Sequence, residues 1–140
     1  MRIVLDTSVL VAGLRSKLGA NHRLLELVAT GQCVPLVSTA VFLEYDDVLR
    51  RPEQKIATGM SDDDVSGFLA ALASASEPVE VHFRWRPQLP DPADELILEA
   101  AGNGQADAIV THNVRDFEAA ATAFGLRVTT PARALEELER

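Results

Sequence analysis

Two alternating patterns of apolar and polar positions run along the chain, and together they predict a repeated strand–helix order. Short apolar runs typical of buried strands are followed by segments with apolar residues three or four positions apart. Strands are predicted at residues 2–6, 33–37, 79–83, 108–111 and 126–129. Helices are predicted at residues 8–15, 21–30, 38 or 39 to about 50, 62–73, 91 to about 101, 113–124 and 131–138. This order favours a parallel sheet with helices on both faces.

Proline residues mark several of the predicted boundaries. Pro52 lies just beyond the expected end of the helix that follows the second strand. Asp91 followed by Pro92 is typical of a helix start, because proline suits the first helical position. Residues 85–90 are predicted to form a proline-containing loop. Since no repeat or long linker divides the sequence, we expect one domain over residues 1–140.

The composition is that of a globular protein. Of the 140 residues, 47% are apolar, which is enough for a substantial core. Cys33 is the single cysteine, which excludes an internal disulfide and suits a reducing cytoplasm. No apolar run reaches the roughly 18 residues of a membrane span, and no leader precedes the first strand. We therefore expect a cytoplasmic protein without membrane association.

Negative charge is concentrated in the second part of the sequence. The net charge is −8, and residues 56–140 carry fifteen acidic against six basic side chains. An acidic protein binds nucleic acid poorly without specific contacts, so the charge alone argues against a nucleic-acid partner. That argument reverses if a divalent cation sits among clustered carboxylates.

Polar residues occur at or just after several predicted strand ends, where ligands bind in open parallel sheets. Bringing their carboxylates together is costly unless a metal ion neutralises them. Oxygen ligands without His or Cys are typical of Mg²⁺ and Mn²⁺, which activate water in phosphodiester hydrolysis. The candidates are Asp6, Glu44, Asp94, Thr111, Asn113 and Asp116.

Each candidate also has a purely structural interpretation. Asp6 can cap the helix that it precedes. A lone helical glutamate such as Glu44 is more often solvated than functional. Asp91 and Asp94 have the spacing of a helix-capping pair, and the same spacing recurs at the start of the next helix. The metal-site hypothesis therefore depends on these residues acting together.

Motifs of other common chemistries are missing from the sequence. It has no phosphate-binding G-x-x-x-x-G-K-[ST] loop and no G-x-S-x-G nucleophile motif. The three histidines lack metal-ligand spacing, although His112 lies close enough to the candidate site to contact a substrate. These absences favour the metal hypothesis over nucleotide-binding or acyl-transfer chemistry.

The motifs and their order resemble the PIN domain family, and within it the VapC-like toxins of prokaryotic toxin–antitoxin pairs. The signatures are IVLDTSVL, STAVFLEYDDVLRRP, DPADELILEAA and ADAIVTHNVRDF, and the resemblance covers nearly the whole chain. It implies a three-layer α/β/α sandwich with a central, mainly parallel sheet. It also implies an endoribonuclease that depends on Mg²⁺ or Mn²⁺. Metal-dependent cleavage of RNA is the test of this implication.

The resemblance assigns roles to the acidic candidates by motif. Asp6, Glu44 and Asp94 match the first three acidic positions of the family. Asn113 stands where the family has its fourth aspartate, and Asp116 is the candidate to supply the missing charge. The expected metal ligands are Asp6, Asp94 and Asp116, with Glu44 and Asn113 completing the catalytic set.

Further residues are expected to support this site. Thr7, Ser8 and Thr111 match polar positions that hold waters or orient carboxylates. The resemblance also implies an RNA substrate, an antitoxin protein as partner and a homodimer. Candidates for contact with the RNA backbone are Arg15, Lys17, Arg50, Arg51 and Arg115.

Two other functions compete with a ribonuclease. With Asn113 in place of aspartate, the chain would be a weak or inactive PIN domain that binds RNA or a protein. A phosphoryl-transfer domain would use Asp6 to accept phosphate. Phosphohydrolases of that type carry a second acid where this chain has Ser8, and receiver domains need a late lysine, whereas no lysine follows Lys55. The second alternative is therefore disfavoured.

Overall fold

A five-stranded parallel sheet forms the centre of the protein, for which a computed structural model describes residues 1–84 and 88–140. The strands are β1 (Arg2–Leu5), β2 (Val34–Ser38), β3 (Glu77–Val79), β4 (Ala108–Val110) and β5 (Val128–Thr129). The helices are α1 (Thr7–Arg15), α2 (Ala20–Ala29), α3 (Thr39–Leu49), α4 (Pro52–Thr58), α5 (Asp62–Ala75), α6 (Pro92–Gly104), α7 (Val114–Ala123) and α8 (Pro131–Leu138). The predicted three-layer α/β/α sandwich is confirmed.

Strand β1 lies in the middle of the sheet. The strand order is β3-β2-β1-β4-β5, and all four pairings are parallel. Ile3 of β1 is opposite Pro35 on one side and Ala108 on the other. The apolar run Ile3–Leu5 is completely buried, as expected for a strand covered on both faces.

The chain changes direction across the sheet next to β1. From β1 it proceeds through β2 to β3 at one edge, and then returns to β4 and β5 on the other side. The connections thus diverge between β1 and β4, which leaves a crevice outside the carboxyl ends of these two strands. This crevice positions the residues that follow β1 and β4.

Pro52 lies just beyond the end of α3, as predicted, but it also begins a helix that the sequence analysis did not predict. In this additional helix, α4, the proline occupies the first turn. Proline fits there because the first helical N–H has no partner within the helix. Helix α4 packs against α1 and α3, which brings it beside the crevice.

The predicted strand at residues 79–83 is wrong in its position. Only Glu77–Val79 pair with β2, and residues 80–84 have no regular structure. The backbone N–H groups of His82 and Phe83 instead donate to Oδ1 of Asn103, at 2.8 and 3.0 Å. The Asn103 side chain of α6 thus accepts the backbone hydrogen bonds that a neighbouring strand would accept if these residues formed a strand.

Most remaining boundaries differ from the predictions by one or two residues. Within the predicted loop at residues 85–90, residues 88–90 have no regular structure, and residues 85–87 lie outside the described residues. Among the helices described, none is long and apolar enough to cross a membrane.

Candidate active site

Asp6 follows β1 directly and occupies the position before the first turn of α1. Its backbone N–H donates to the carbonyl of Val110 at 2.9 Å, which extends the pairing of β1 with β4. Its carboxylate makes no capping hydrogen bond to α1. Instead, Oδ2 accepts hydrogen bonds from the hydroxyls of Ser8 at 2.9 Å and Thr111 at 2.7 Å. The Asp6 side chain therefore does not cap α1. The residue is buried, with only 7% of its surface exposed.

Thr111 connects Asp6 to the start of α7. It is completely buried after β4, and its Oγ1 accepts a hydrogen bond from the backbone N–H of Asn113 at 3.0 Å. The same oxygen donates to Asp6, so both hydrogen-bonding capacities of the hydroxyl are used. This arrangement fixes the orientation of the Asp6 carboxylate and the path of the backbone that leads to Asn113.

Tyr45 supports the end of β1 from α3, a role that the sequence analysis missed. Its buried hydroxyl donates to the carbonyl of Leu5 at 2.5 Å. Burial, and then the negative charge of Asp6, raise the pKa of this hydroxyl. The phenol therefore remains a hydrogen-bond donor. Its position next to Glu44 in an apolar helical segment is the sequence signal that could have identified it.

An open depression lies at the crevice and is called the acidic depression below. Four of the predicted catalytic residues line it: Asp6, Glu44, Asp94 and Asn113. Thr7, Ser8 and Arg15 line it as well, together with Gln54 and Asp91, which the sequence analysis did not include in the site.

Asp116 lines a second depression, called the adjoining depression. Its other walls are formed by Pro90, Asp91, Asp94 and Arg115. Asp91 and Asp94 therefore belong to both depressions, which makes them parts of one continuous surface. Asp116 lies beyond Asp94 on this surface.

The surroundings of Asp94 shift the pKa of its side chain. Desolvation by burial, followed by the negative charges of Asp6, Asp91 and Asp116, raises its pKa from 3.8 to about 6. The carboxylate lies in the first turn of α6, where Asp91 provides the cap by accepting from the N–H of Ala93 at 2.9 Å. Because Asp91 caps α6, the Asp94 side chain is available to the depressions.

The predicted RNA-contacting cations separate into two groups. Arg15 and Arg115 line the two depressions, and within residues 1–84 and 88–140 neither has a hydrogen-bond or ion-pair partner for its side chain. Arg50 binds Asp46 at 2.8 Å and Arg51 binds Asp47 at 2.8 Å, away from both depressions. Lys17 is exposed after α1 and also lines neither depression.

Two further polar residues shape the surroundings of the site. His112 is exposed, and its Nε2 lies 2.8 Å from Oδ1 of Asn21. Glu95 is buried in α6, and its Oε1 accepts hydrogen bonds from the backbone N–H groups of Gln88 and Leu89, at 2.5 and 2.8 Å. Glu95 thus holds the segment that leads into the acidic end of α6, a role without a motif in the sequence.

The donor set matches a hard divalent cation in its chemistry. As ligand atoms, Asp6, Asp94, Glu44 and Asn113 offer only oxygens, and the negative charges of neighbouring acids add to burial in raising the pKa of Asp94. In the described part of the chain, no three His, Cys, Asp or Glu side chains are grouped closely enough to hold a metal ion. Mg²⁺ is commonly held by one or two carboxylates together with water and substrate phosphate, and this site fits that mode.

The fold and the acidic depression define an α/β/α protein with a polar site at the carboxyl ends of its central strands. The family model described as "PIN domain" matches residues 2–115. The chain therefore belongs to the PIN domain family, as its motifs predicted.

A comparison with solved structures supports the same fold. The chain matches one in the crystal structure of VapBC2 from Rickettsia felis bound to a DNA fragment from their promoter. The TM-score is 0.62 and the identity is 17%, over 93% of this chain and 98% of that chain. A comparison with curated proteins gave no match.

Proposed function

We propose that this PIN domain is a metal-dependent ribonuclease that hydrolyses phosphodiester bonds in RNA. The observation that carries the proposal is the buried carboxylate of Asp6, oriented by Ser8 and Thr111 and sharing a depression with Asp94. Burying an ionised carboxylate is costly, and a second acid beside it adds repulsion. A divalent cation between the two acids removes both costs.

In this proposal Asp6 and Asp94 hold Mg²⁺ or Mn²⁺. When bound, such a cation makes a water more nucleophilic and stabilises the oxygens of the phosphodiester that is cut. A bound cation would favour the ionised form of Asp94, because its positive charge stabilises the carboxylate. Asp116 completes the acidic surface on the adjoining depression, while Glu44 and Asn113 contribute oxygen atoms to the acidic depression.

The remaining residues of the site orient these groups and the substrate. Ser8 and Thr111 orient the Asp6 carboxylate through their hydrogen bonds to its Oδ2. Thr7 lines the same depression and can hold water there. Arg15 lines the acidic depression and Arg115 lines the adjoining depression, and in this proposal each contacts a phosphate of the RNA backbone.

The test is cleavage of a mixed RNA pool by the purified protein in Mg²⁺, Mn²⁺ or EDTA. We expect cleavage with either cation, none in EDTA, and a loss of at least about 100-fold in Asp6→Asn. Asp63→Asn, which removes a carboxylate from the exposed first turn of α5, is the matched control and should retain activity. Cleavage that persists in EDTA or in Asp6→Asn would contradict the proposal.

Asn113 favours a second candidate function, an inactive PIN domain that binds RNA or a protein without cutting it. The position has a neutral amide where the family motif has a carboxylate, and the residue is exposed before α7. RNA binding in a gel-shift assay without cleavage at millimolar Mn²⁺ would favour this candidate. Cleavage restored by Asn113→Asp would then identify the missing charge as the cause.

We further propose that the chain is the toxin of a toxin–antitoxin pair and acts in the cytoplasm. The fold matches a chain of VapBC2, which was crystallised with promoter DNA. An apolar depression between α2 and α5, with Leu25, Val28, Phe68 and Leu72 in its walls, is a suitable surface for a protein partner.

Two measurements test the proposed partners. Co-purification with the product of an adjacent gene, together with loss of RNA cleavage in the complex, would support an antitoxin. Sedimentation of the isolated protein would distinguish the proposed homodimer from a monomer. An adjacent gene product that neither binds nor inhibits the protein would contradict the toxin assignment without affecting the ribonuclease proposal.

A further inference from the structure

Gln54 is an unassigned polar residue in the wall of the acidic depression. It lies on α4, the helix that the sequence analysis did not predict, and it lines the depression together with Arg15 and Asp6. Its Oε1 is buried and accepts no hydrogen bond; in the described ranges it is the one buried side-chain nitrogen or oxygen without a partner. The residue as a whole is partly exposed and lines the depression, although Oε1 itself is buried.

A buried carbonyl oxygen without a donor destabilises the folded protein, and most proteins avoid it. The neighbouring polar groups differ in this respect, since Oδ2 of Asp6 accepts two hydrogen bonds. The last torsion of a glutamine side chain rotates easily, so Oε1 can turn into the depression when a donor arrives. Gln54 is therefore an acceptor that lacks a partner until a ligand binds.

The chemistry of the depression limits which ligand provides that donor. Its acidic walls are acceptors when ionised, and a phosphate oxygen is also an acceptor. Arg15 is the unpaired cation of the same depression and suits a phosphate. In a nucleotide whose phosphate contacts Arg15, the ribose 2′-hydroxyl is the neutral donor closest to that phosphate. The depression measures about 370 Å³, which falls within the range of ligand-binding clefts.

We infer that Gln54 accepts a hydrogen bond from the 2′-hydroxyl of the nucleotide bound beside Arg15, and that it thereby selects RNA over DNA. The 2′-hydroxyl is the group by which proteins distinguish the two nucleic acids. The inference rests on the proposed function in one respect, namely that RNA is the molecule bound at this site. It concerns binding and does not require that the bound RNA is cut.

The test measures binding without cleavage. Fluorescein-labelled oligonucleotides of one sequence, made as RNA and as DNA, are titrated with Asp6→Asn protein in Mg²⁺, and the anisotropy is recorded. Gln54→Met in the same background keeps the length of the side chain but removes its acceptor. We expect this change to weaken RNA binding roughly tenfold and to leave DNA binding unchanged, so that the preference for RNA disappears.

Gln32→Met is the matched control, because Gln32 is exposed before β2, at the opposite end of the strands from the depression. It should preserve the preference for RNA. Circular dichroism of each variant confirms that it is folded, and Gln54→Ala repeats the test with a second side chain. An RNA-to-DNA affinity ratio that is the same with and without Gln54 would overturn the inference, and so would equal binding of RNA and DNA in the Asp6→Asn background.

The two proposals fail in different ways. If wild-type protein cuts no RNA but Gln54→Met still abolishes the preference for RNA, the ribonuclease proposal fails and this inference stands. If wild-type protein cuts RNA and the affinity ratio is unaffected by Gln54→Met, only this inference fails.

Discussion

The Thr111 hydroxyl lies 2.7 Å from Oδ2 of Asp6, although 105 positions separate the two residues in the sequence. The hydroxyl connects the ends of β1 and β4 and aims the carboxylate into the acidic depression rather than at the first turn of α1. A short contact between distant segments thus determines whether Asp6 caps a helix or forms part of a site.

Replacing Thr111 with valine tests the energetic role of this contact. Thr111→Val keeps the shape of the side chain but removes a donor to Asp6 and an acceptor for the N–H of Asn113. We expect a loss of about 1–3 kcal/mol in the free energy of unfolding, measured with urea. Thr122→Val, at an exposed position of α7, should change it by less than about 0.5 kcal/mol. Equal effects of the two changes would show that the contact contributes nothing.

The raised pKa of Asp94 predicts that stability decreases as the pH rises. The folded protein holds this proton up to about pH 6, whereas the unfolded chain loses it near 3.8. The stabilisation from the protonated form is complete below the unfolded pKa and is lost as the pH rises through about 6. Asp94→Asn stays neutral, so its gain in stability over wild type should be larger at pH 8 than at pH 5.

Urea unfolding at pH 5 and pH 8, without divalent cations, measures this difference. Asp63→Asn reports the effect of removing one negative charge outside the depressions. A gain for Asp94→Asn that is the same at both pH values would contradict the prediction.

Divalent cations should stabilise the protein through Asp6 and Asp94. At a concentration about 100 times its dissociation constant, Mn²⁺ adds roughly 2–3 kcal/mol to the free energy of unfolding, because it binds the folded state. The melting temperature should therefore rise with Mn²⁺ at pH 8, and EDTA should reverse the change. The rise should be lost in Asp6→Asn and retained in Asp63→Asn. A rise that survives in Asp6→Asn would place the cation elsewhere.

Two helical glycines should respond to alanine with opposite signs. A Cβ at Gly13 would lie 2.6 Å from Cδ1 of Leu25 and 3.1 Å from the carbonyl oxygen of Asn21, where α1 meets α2. A Cβ at Gly67 in α5 would meet nothing within 4 Å. We expect Gly13→Ala to destabilise by about 1–3 kcal/mol through overpacking. Gly67→Ala should stabilise by up to about 1 kcal/mol through helix propensity, and urea titrations of both variants test the pair.

Most of the order of strands and helices was predictable because β1, β2 and β4 are short, mostly apolar and buried runs. Asp6 and Asp94 were also recognisable as candidate site residues, since Asp6 follows the first strand and Asp94 lies in the first turn of a helix in a family motif. Helix α4 was not predicted, because a proline that follows one helix also suits the first turn of another, and only the first role of Pro52 was considered. Position within a motif therefore carried more information than a single boundary residue.

Other features depend on neighbours that are distant in the sequence. The alternation at residues 79–83 fits a strand, but pairing with β2 selects Glu77–Val79. Arg50 is an ordinary cation in the sequence, and only the fold brings Asp62 within 3.4 Å of it. The unsatisfied oxygen of Gln54 likewise arises from packing, and no local pattern encodes it.

Because β1 is translated first but pairs with β4, a chain growing on the ribosome keeps its first strand without one neighbour until residues 108–110 have emerged. Until then Asp6 lacks both the Val110 carbonyl and the Thr111 hydroxyl that hold it in place. Under the proposed function, the site around Asp6 is therefore assembled only after most of the chain has been synthesised.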